Sequence, residues 1–423
     1  MLGTLIAASL LAPQVHTVDD DPGADFTEVQ AAIDAAQDGD TILIRSGVYQ
    51  SIQIDGRSLT IVADVDAVVR MQGISISNVA AEDALYLRGI ETGPFGPGAF
   101  QVVPGLSIQG CDGPVLIENC VIGAPGQPTP LNPPGIAIRV ALNAQVLLVD
   151  TTANGTTSNG FGGTNGAPAV LVDSSTLSIF GGEYEGGSGL DQNESFLTGF
   201  PGGSGAAAVQ AENSDLFLAG ATLIGGDGGR GSTSTAGSGF LFPCGDGGPG
   251  GDAVLANGSS VTLRGGTPIP GTGGAPGGPP PEGPACAFGA DGAPIAGTSQ
   301  TITTLSGIPR TFAVSPNPVR EGQVATQFFT GEPGDLVLWA LSVGPSTLPL
   351  TSFGGPVLVS ASPFVVNAGS VPASGELSLP VAVGFLPPGQ PSLELVEQAL
   401  MLPLQGAPVV TQPRRVVLFD SSF

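Results

Sequence analysis

The sequence predicts an all-β protein: a right-handed, single-stranded parallel β-helix with an N-terminal capping helix, followed by a C-terminal β-sandwich. Three observations predict it. A strand-corner-strand unit recurs at Ala169–Gly182, Ala208–Ala221 and Ala253–Gly266. The unit keeps its length while the distance between copies varies, from 39 residues (Val170 to Val209) to 45 (Val209 to Val254). After Ile302 this rhythm gives way to longer apolar strands separated by Pro and Gly. The expected domains are a leader over residues 1–17, a β-helix over 18–308 and a sandwich over 309–423.

Each repeat reads apolar-x-apolar, a polar corner ending in Ser (Ser175, Ser214, Ser259), apolar-x-apolar, then Gly or Ala-Gly. A period of two belongs to strands rather than helices. About four inward aliphatics per unit, at roughly 1.5–3 kcal/mol each, do not offset the ordering of some fourteen residues at ~1–2 kcal/mol apiece. One unit alone is therefore unstable. A stack is not, because each added coil also gains a row of backbone hydrogen bonds. The variable residues between units, Glu183–Ala206, Thr222–Gly251 and Thr267–Gly292, read as loops leaving one edge of the stack.

Gly (67) and Pro (39) make up a quarter of the 423 residues, which would suggest low complexity but for their concentration in these loops. Some loop disorder is expected. The net charge of −25, with all eleven basic residues Arg, excludes an affinity for nucleic acid or an anionic membrane surface. It suits an extracellular protein and leaves divalent cations as partners.

In chain order, Leu2–Ala12 is an apolar run of signal-peptide length, too short to span a bilayer, with Val15-His-Thr17 as the candidate cleavage site. No other segment reads as a membrane span. Asp25-Phe-Thr-Glu28 resembles a capping box, and Phe26, Val29, Ile33 and Ala36 share one face of a short helix ended by Asp38-Gly39. That helix would cover the open end of the stack. Strands follow at Thr41–Arg45 and around Ile52/Ile54 and Leu59/Ile61.

Asp25–Asp64, with Phe-Thr-Glu-Val-Gln-Ala-Ala-Ile-Asp-Ala-Ala, Gly-Asp-Thr-Ile-Leu-Ile, Gly-Val-Tyr and Leu-Thr-Ile, resembles the opening module of pectin-lyase-like β-helix proteins. Pectinesterases and many secreted bacterial proteins share that module. The resemblance implies the fold and is silent on activity. Downstream, less regular coils run from Met71 to Val149. Gly307–Pro318 reads as a crossing, and strands at Ala325–Phe329, Leu336–Leu341, Val357–Val359, Leu377–Val383, Leu393–Leu404 and Arg415–Phe419 form the sandwich. Trp339 is expected in its core.

The cysteines number four. Cys244 and Cys286 are 42 residues apart, close to the repeat length, so stacked loops would bring them together as a disulfide. Cys111 and Cys120 flank one strand and are expected as a second pair, the alternative for all four being unlinked core residues.

Enzymes of the resembling family carry converging Asp residues, or carboxylates with calcium and an Arg or Lys base, and none of their characteristic strings occurs here. The single His, His16, lies in the expected leader. Gly247–Leu255 fits the calcium nonapeptide Gly-Gly-x-Gly-x-Asp-x-apolar-x and makes Asp252 a candidate calcium ligand, but the matching upstream position is Ala207. The plainer reading is a Gly-rich return into the strand. Asp173, Glu212 and Asn257 should form an outer ladder, and Glu183 and Glu185 would join Arg264 if their coils faced one way. The favoured function is a secreted or surface-displayed, non-catalytic β-helix protein that is structural, adhesive or interacts with an extracellular polysaccharide or cell-surface component. The alternative is a divergent polysaccharide lyase or glycoside hydrolase. Calcium is the one cofactor the motifs raise.

Overall fold

The computed structural model describes residues 13–94, 104–124, 135–142, 145–157, 165–192, 199–233, 244–278, 285–343, 355–359 and 362–423. Parallel strands stack into three long sheets, each coil contributing one strand to each sheet, in a right-handed β-helix. A ten-stranded sheet, here the docking sheet, runs from Val15–Val18 to Thr301–Leu305. An eight-stranded corner sheet runs from Ile52–Asp55 to Ile295–Ala296, and an eight-stranded loop sheet from Gly47–Tyr49 to Thr267–Ile269. In the repeats, a corner-sheet strand (Val170–Asp173) leads through the Ser corner into a docking-sheet strand (Thr176–Phe180), then a loop-sheet strand (Glu183–Glu185).

The inward residues are the ones the periodicity selects. Val170, Val172, Leu177 and Ile179, with Val209, Ala211, Leu216 and Leu218 one coil on, are buried in a single core. Their strands pair in register: Val170 with Val209, Val209 with Val254, Leu177 with Leu216. The corner serines form a ladder. The Ser175 amide donates to Ser214 Oγ and the Ser214 amide to Ser259 Oγ, while each hydroxyl donates to the carbonyl two residues back. Buried corner amides thus find partners in the next coil.

The helix, Val29–Ala35, buries Val29, Ala32 and Ile33 against the first coils. Its N-cap, Glu28, makes no side-chain capping bond, so the capping box is not formed. Asp25 instead accepts hydrogen bonds from the Thr17 amide and hydroxyl, which hold its carboxyl below the usual range. The expected leader lies outside the described residues as far as residue 12. Val15–Val18 pairs with Thr41–Ile44, so cleavage at Val15–Thr17 would cut into the first strand of the docking sheet.

The last coil ends at Leu305 and the first antiparallel strand begins at Thr311. A three-stranded sheet (Thr311–Ser315, Val324–Thr330, Glu376–Ala382) faces a second sheet built from Val319–Arg320, Arg414–Phe419, Ser392–Leu402, Leu336–Val343 and Phe364–Ser370. Trp339 lies in the core between them with Phe312, Phe329 and Met401. Val357–Val359 differs from expectation. It is no regular strand; it is buried against the β-helix, with the Leu358 amide donating to Gln398 Oε1.

The docking sheet explains why its strands read as unbroken apolar runs. From Thr41–Ile44 to Val146–Val149 both faces are covered. One outward row is Thr41, Thr60, Tyr86, Leu116, Leu147, Ser178, Phe217, Thr262, Thr303; its neighbour is Leu43, Val62, Arg88, Glu118, Val149, Phe180, Ala219, Arg264, Leu305. Where these rows are apolar, the sandwich packs on them through Val357, Leu358, Val396, Val410, Val417 and Phe419. At Glu118, and at Asp150 and Asp64 beside the rows, it supplies counter-charge, while Arg88 finds Glu118 within the sheet. Arg414 pairs with Glu118 (3.1 Å) and with Asp150, Arg88 with Glu118 (3.3 Å), and Arg320 with Asp64 (2.7 Å). Tyr86 donates to Glu118 (2.8 Å).

The described parts of the Gly-rich loops are ordered. Outgoing segments (Gly186–Gln192, Gly225–Thr233, 270–278) form one layer and return segments (Phe200–Ala208, Cys244–Ala253, 285–294) a second. Hydrogen bonds recur every third residue. Gly226, Gly229 and Ser232 donate to Ala206, Gly203 and Phe200 across the layers; Gly225, Gly228 and Gly231 donate to Ile269, Thr272 and Ala275 within one. No α or β pairing occurs, and none of these loop glycines has a left-handed φ. A three-residue period with only lateral hydrogen bonds is that of the polyproline II helix, packed as polyglycine. Close packing demands glycine: a Cβ on Gly229 would stand 2.1 Å from the Leu190 oxygen, and one on Gly248 2.0 Å from the Gly203 oxygen. Every third residue faces out, and there Asp and Asn cap the next coil's amide. Asp191 accepts from Arg230, Asp227 from Thr272, Asp246 from Ala287 and Asp252 from Ala293.

Candidate functional site

Beyond Leu147 one outward row of the docking sheet turns polar except at Phe217, while its neighbour stays apolar and covered by the sandwich through Phe180 and Ala219. A groove of about 380 Å³ opens over the polar row. Its floor is Ser178, Phe217, Thr262 and Thr303 from one outward row, with Thr176, Asp215 and Ser260 at the strand starts; Gly355 and Pro356 form the sandwich wall. Strand registration puts Thr176, Asp215, Ser260 and Thr301 in line, as it does Ser178, Phe217, Thr262 and Thr303, so two hydroxyls per coil flank a coil that carries Asp215 and Phe217 instead. Phe217 is half-buried and rests against Phe180, ring centroids 5.4 Å apart. Asp215 is the one carboxylate among the described lining residues, and it accepts a short hydrogen bond from Ser260.

Past Phe217, at the strand ends, lies a second cavity of about 250 Å³. It is bordered by Phe180, Ala219 and Arg264 from the neighbouring row and roofed by Pro309–Thr311 and Gln412. Gly265 lets Pro309 close over the strand end, since a Cβ there would stand 2.6 Å from the proline ring. Arg264 is buried, 7% exposed, and its Nε and Nη1 have no hydrogen-bond partner among the described residues. Burial, with Arg310 nearby, lowers its pKa.

Several expected constellations are rearranged. Glu183 and Glu185 are exposed on the loop sheet, whereas Arg264 is buried on the docking sheet, so the three do not meet. Asp173, Glu212 and Asn257 do align as an outer ladder of the corner sheet. Asp252 spends a carboxylate oxygen on the Ala293 amide (2.7 Å), and it belongs to no cluster of three potential metal ligands among the described residues. The one such cluster is Asp19–Asp20–Asp21, in the opening turn. There Asp19 holds Arg45 and Asp20 accepts the Val48 amide. His16 Nε2 lies 3.2 Å from Asp40, in the first coil.

Cys244 and Cys286 are joined, with Cα atoms 6.0 Å apart, where the polyglycine return segments begin. Cys111 and Cys120 are not joined. They sit at opposite ends of Val115–Glu118, and a four-residue strand spans roughly 13 Å, twice the reach of a disulfide. Both are buried thiols, and burial pushes Cys120 up to about 11.

The groove and the cavity were missed because each needs the sandwich as a wall, and neither repeat spacing nor motif says which outward rows it covers. The one available signal was the change from Leu116 and Leu147 to Ser178, Phe217 and Thr262 at a single register position.

No known family profile and no curated protein matches the chain. Among solved structures the chain is similar to full-length tailspike protein 2 from Escherichia coli O157:H7 bacteriophage CAB120. The two are 10% identical over 97% of this chain and 64% of that one, at a TM-score of 0.30. It is similar too to the enzymatically active domain of bacteriophage CBA120 tailspike protein 2, at 10% identity over 97% and 72% of the respective chains and a TM-score of 0.28. The chain spans less than two thirds of the full-length tailspike. At that identity and overlap the likeness bears on neither ligand nor activity.

Proposed function

We propose that this chain is a secreted or surface-displayed β-helix protein that binds a polysaccharide in the groove beside Phe217 without cleaving it. The observation that carries the reading is the floor of that groove. A sugar ring presents C–H faces and hydroxyl edges. Phe217 offers an apolar surface, and the coils on either side of it, spaced about 4.8 Å apart, offer the hydroxyls of Thr176 and Ser178 and of Ser260 and Thr262 as donors and acceptors. The groove runs across successive coils, a direction suited to an extended chain. The Cys244–Cys286 bridge fits an oxidising compartment. The opening module supports kinship with pectin-lyase-like proteins.

Against turnover stands the composition of the groove. Glycoside hydrolysis of the common kind uses two carboxyl groups flanking the scissile bond, and Asp215 stands without a second among the described lining residues. The test is a panel of neutral and acidic polysaccharides assayed for both retention and depolymerisation, with and without Ca²⁺. The reading expects retention without new chain ends, and its loss in Phe217→Ala. Depolymerisation abolished by Asp215→Asn would instead make the chain a carbohydrate-active enzyme. Failure to retain any polysaccharide would leave a structural role.

A further inference from the structure

The charges of this chain are one-sided, and their placement decides which polymers can enter the groove beside Phe217. All eleven basic residues are Arg, there is no Lys, and the one His, His16, lies against Asp40 in the first coil. No Arg is among the described lining residues of the groove, where the carboxylate of Asp215 is the single charged group. Arg264 and Arg310 border the second cavity instead, past the strand ends. Asp215 and Phe217 are alternate residues of the strand Asp215–Ala219, so one coil projects both of them outward. Thr176 and Ser178 stand on one side of that coil, Ser260 and Thr262 on the other. Asp215 is exposed. Its Oδ1 accepts from Ser260 Oγ, and its Oδ2 has no protein partner among the described residues.

We infer, resting on the reading of that groove as a glycan site, that it selects neutral polysaccharides over acidic ones, with Asp215 as the specificity-determining residue. A carboxylate can only accept hydrogen bonds. A neutral sugar brings hydroxyl donors to Oδ2, and a hydrogen bond to a charged acceptor is shorter and stronger than one between neutral groups. A uronate brings a second negative charge to the same place, with no cation in the described lining to offset it. Because every ring of a uronate homopolymer is charged, sliding along the groove finds no neutral register. The wider field acts in the same direction, since a net charge of −25 repels a polyanion before contact. The two contributions differ in range. The field of the whole chain is screened beyond about 10 Å at moderate salt, whereas charges in contact are screened less. Stacking on Phe217 is indifferent to the polymer's charge, so Phe217 supplies affinity and Asp215 the choice.

The experiment measures binding of the full chain to polygalacturonate, alginate and hyaluronate, each beside its carboxyl-reduced form, and to neutral glucan and mannan, at low and high salt. Carboxyl reduction removes the charge and keeps the linkage and the ring. Asp215→Asn is measured in parallel. The control is Asp173→Asn, which removes one charge from the outer ladder of the corner sheet. The expected result is retention of at least one neutral or carboxyl-reduced polymer, with every acidic polymer bound about tenfold more weakly or worse even at high salt. Asp215→Asn narrows that gap severalfold, by weakening the neutral polymer and admitting the acidic one, and Asp173→Asn leaves it unchanged. An acidic polymer bound as tightly as its reduced form overturns the neutral preference and spares the glycan reading. A gap that vanishes at high salt, or persists in full in Asp215→Asn, overturns the role of Asp215. Should Asp215→Asn not fold, Asp215→Ser takes its place. Retention of no polymer, acidic or neutral, overturns the glycan reading itself.

Discussion

An alanine scan through the return segment 245–252 tests the polyglycine packing position by position. A Cβ on Gly248 would lie 2.0 Å from the Gly203 oxygen and 2.6 Å from its carbonyl carbon. Ordinary contact begins near 3.4 Å, so the two segments must part by about 1.4 Å. That separation also strains the bonds from Gly248 to Gly229 (2.8 Å) and from Gly274 to Gly248 (2.7 Å). Two hydrogen bonds at about 1 kcal/mol each, with the lost packing, give a cost of roughly 2–4 kcal/mol. The lower chain entropy of Ala returns about 0.5–1 kcal/mol. Gly245, Gly247, Gly250 and Gly251 face backbone at 1.8–2.2 Å and should behave alike. Pro249, which points outward, should change stability by less than about 0.5 kcal/mol, and Asp246 and Asp252, which lose only the bond to the next coil's amide, by about 1 kcal/mol. Because repeat arrays open locally, the assay is hydrogen exchange across 200–208, 225–233 and 270–278, read with chemical denaturation. The predicted pattern is two sensitive positions and one tolerant, repeated. Uniform tolerance, or sensitivity at alternate residues, would refute the three-residue packing.

Glu397 in the sandwich is buried, accepts from Trp339 Nε1 (3.2 Å), and is pushed up to about 8 by burial. Its folded form therefore holds a proton that the unfolded chain releases near 4.5. Stability is full below pH 4.5 and falls towards pH 8 by up to ~1.4 kcal/mol per unit; Glu397→Gln should flatten that slope in denaturation curves between pH 5 and 8, and an unchanged slope would count against it. Tyr184 fills the room left by its ladder neighbour Ala153, and its buried hydroxyl has no hydrogen-bond partner among the described residues. Tyr184→Phe should raise the urea midpoint, by about 1 kcal/mol at constant slope, and a loss of stability would reveal a partner. Replacing Cys244 and Cys286 together by Ser opens a loop of 42 residues, worth about 4 kcal/mol in the chain-entropy treatment. Exchange should accelerate first in 244–253 and 285–294 and leave 41–63 unchanged.

Much of the β-helix was legible because its inward residues repeat: Val170, Val209 and Val254 lie where the spacing puts them. The serine corners were legible for the same reason. What escaped is governed by a second body. Leu43, Val62 and Leu147 read as ordinary strand residues until the sandwich is seen to cover them, and Arg264 reads as a partner for Glu183 and Glu185 until it is found buried on another sheet with Pro309 near it. The Gly-rich loops escaped differently. A tract such as Gly225-Gly-Asp-Gly-Gly-Arg-Gly has the composition of disorder, and its order comes from lateral bonds to segments tens of residues away. The nonapeptide match at Asp252 was a consequence of that same three-residue phase, since Asp there caps the next coil's amide. Cys111 and Cys120 show the reverse error, because nearness in sequence along a strand is distance in space.

The most direct test of the groove is a hydrogen-exchange footprint of the full chain saturated with an oligosaccharide it retains. The account predicts protection confined to 176–178, 215–217, 260–262, 303–305 and 355–356. Protection centred on the outer ladder of Asp173, Glu212 and Asn257, or on the polyglycine layers, would contradict it.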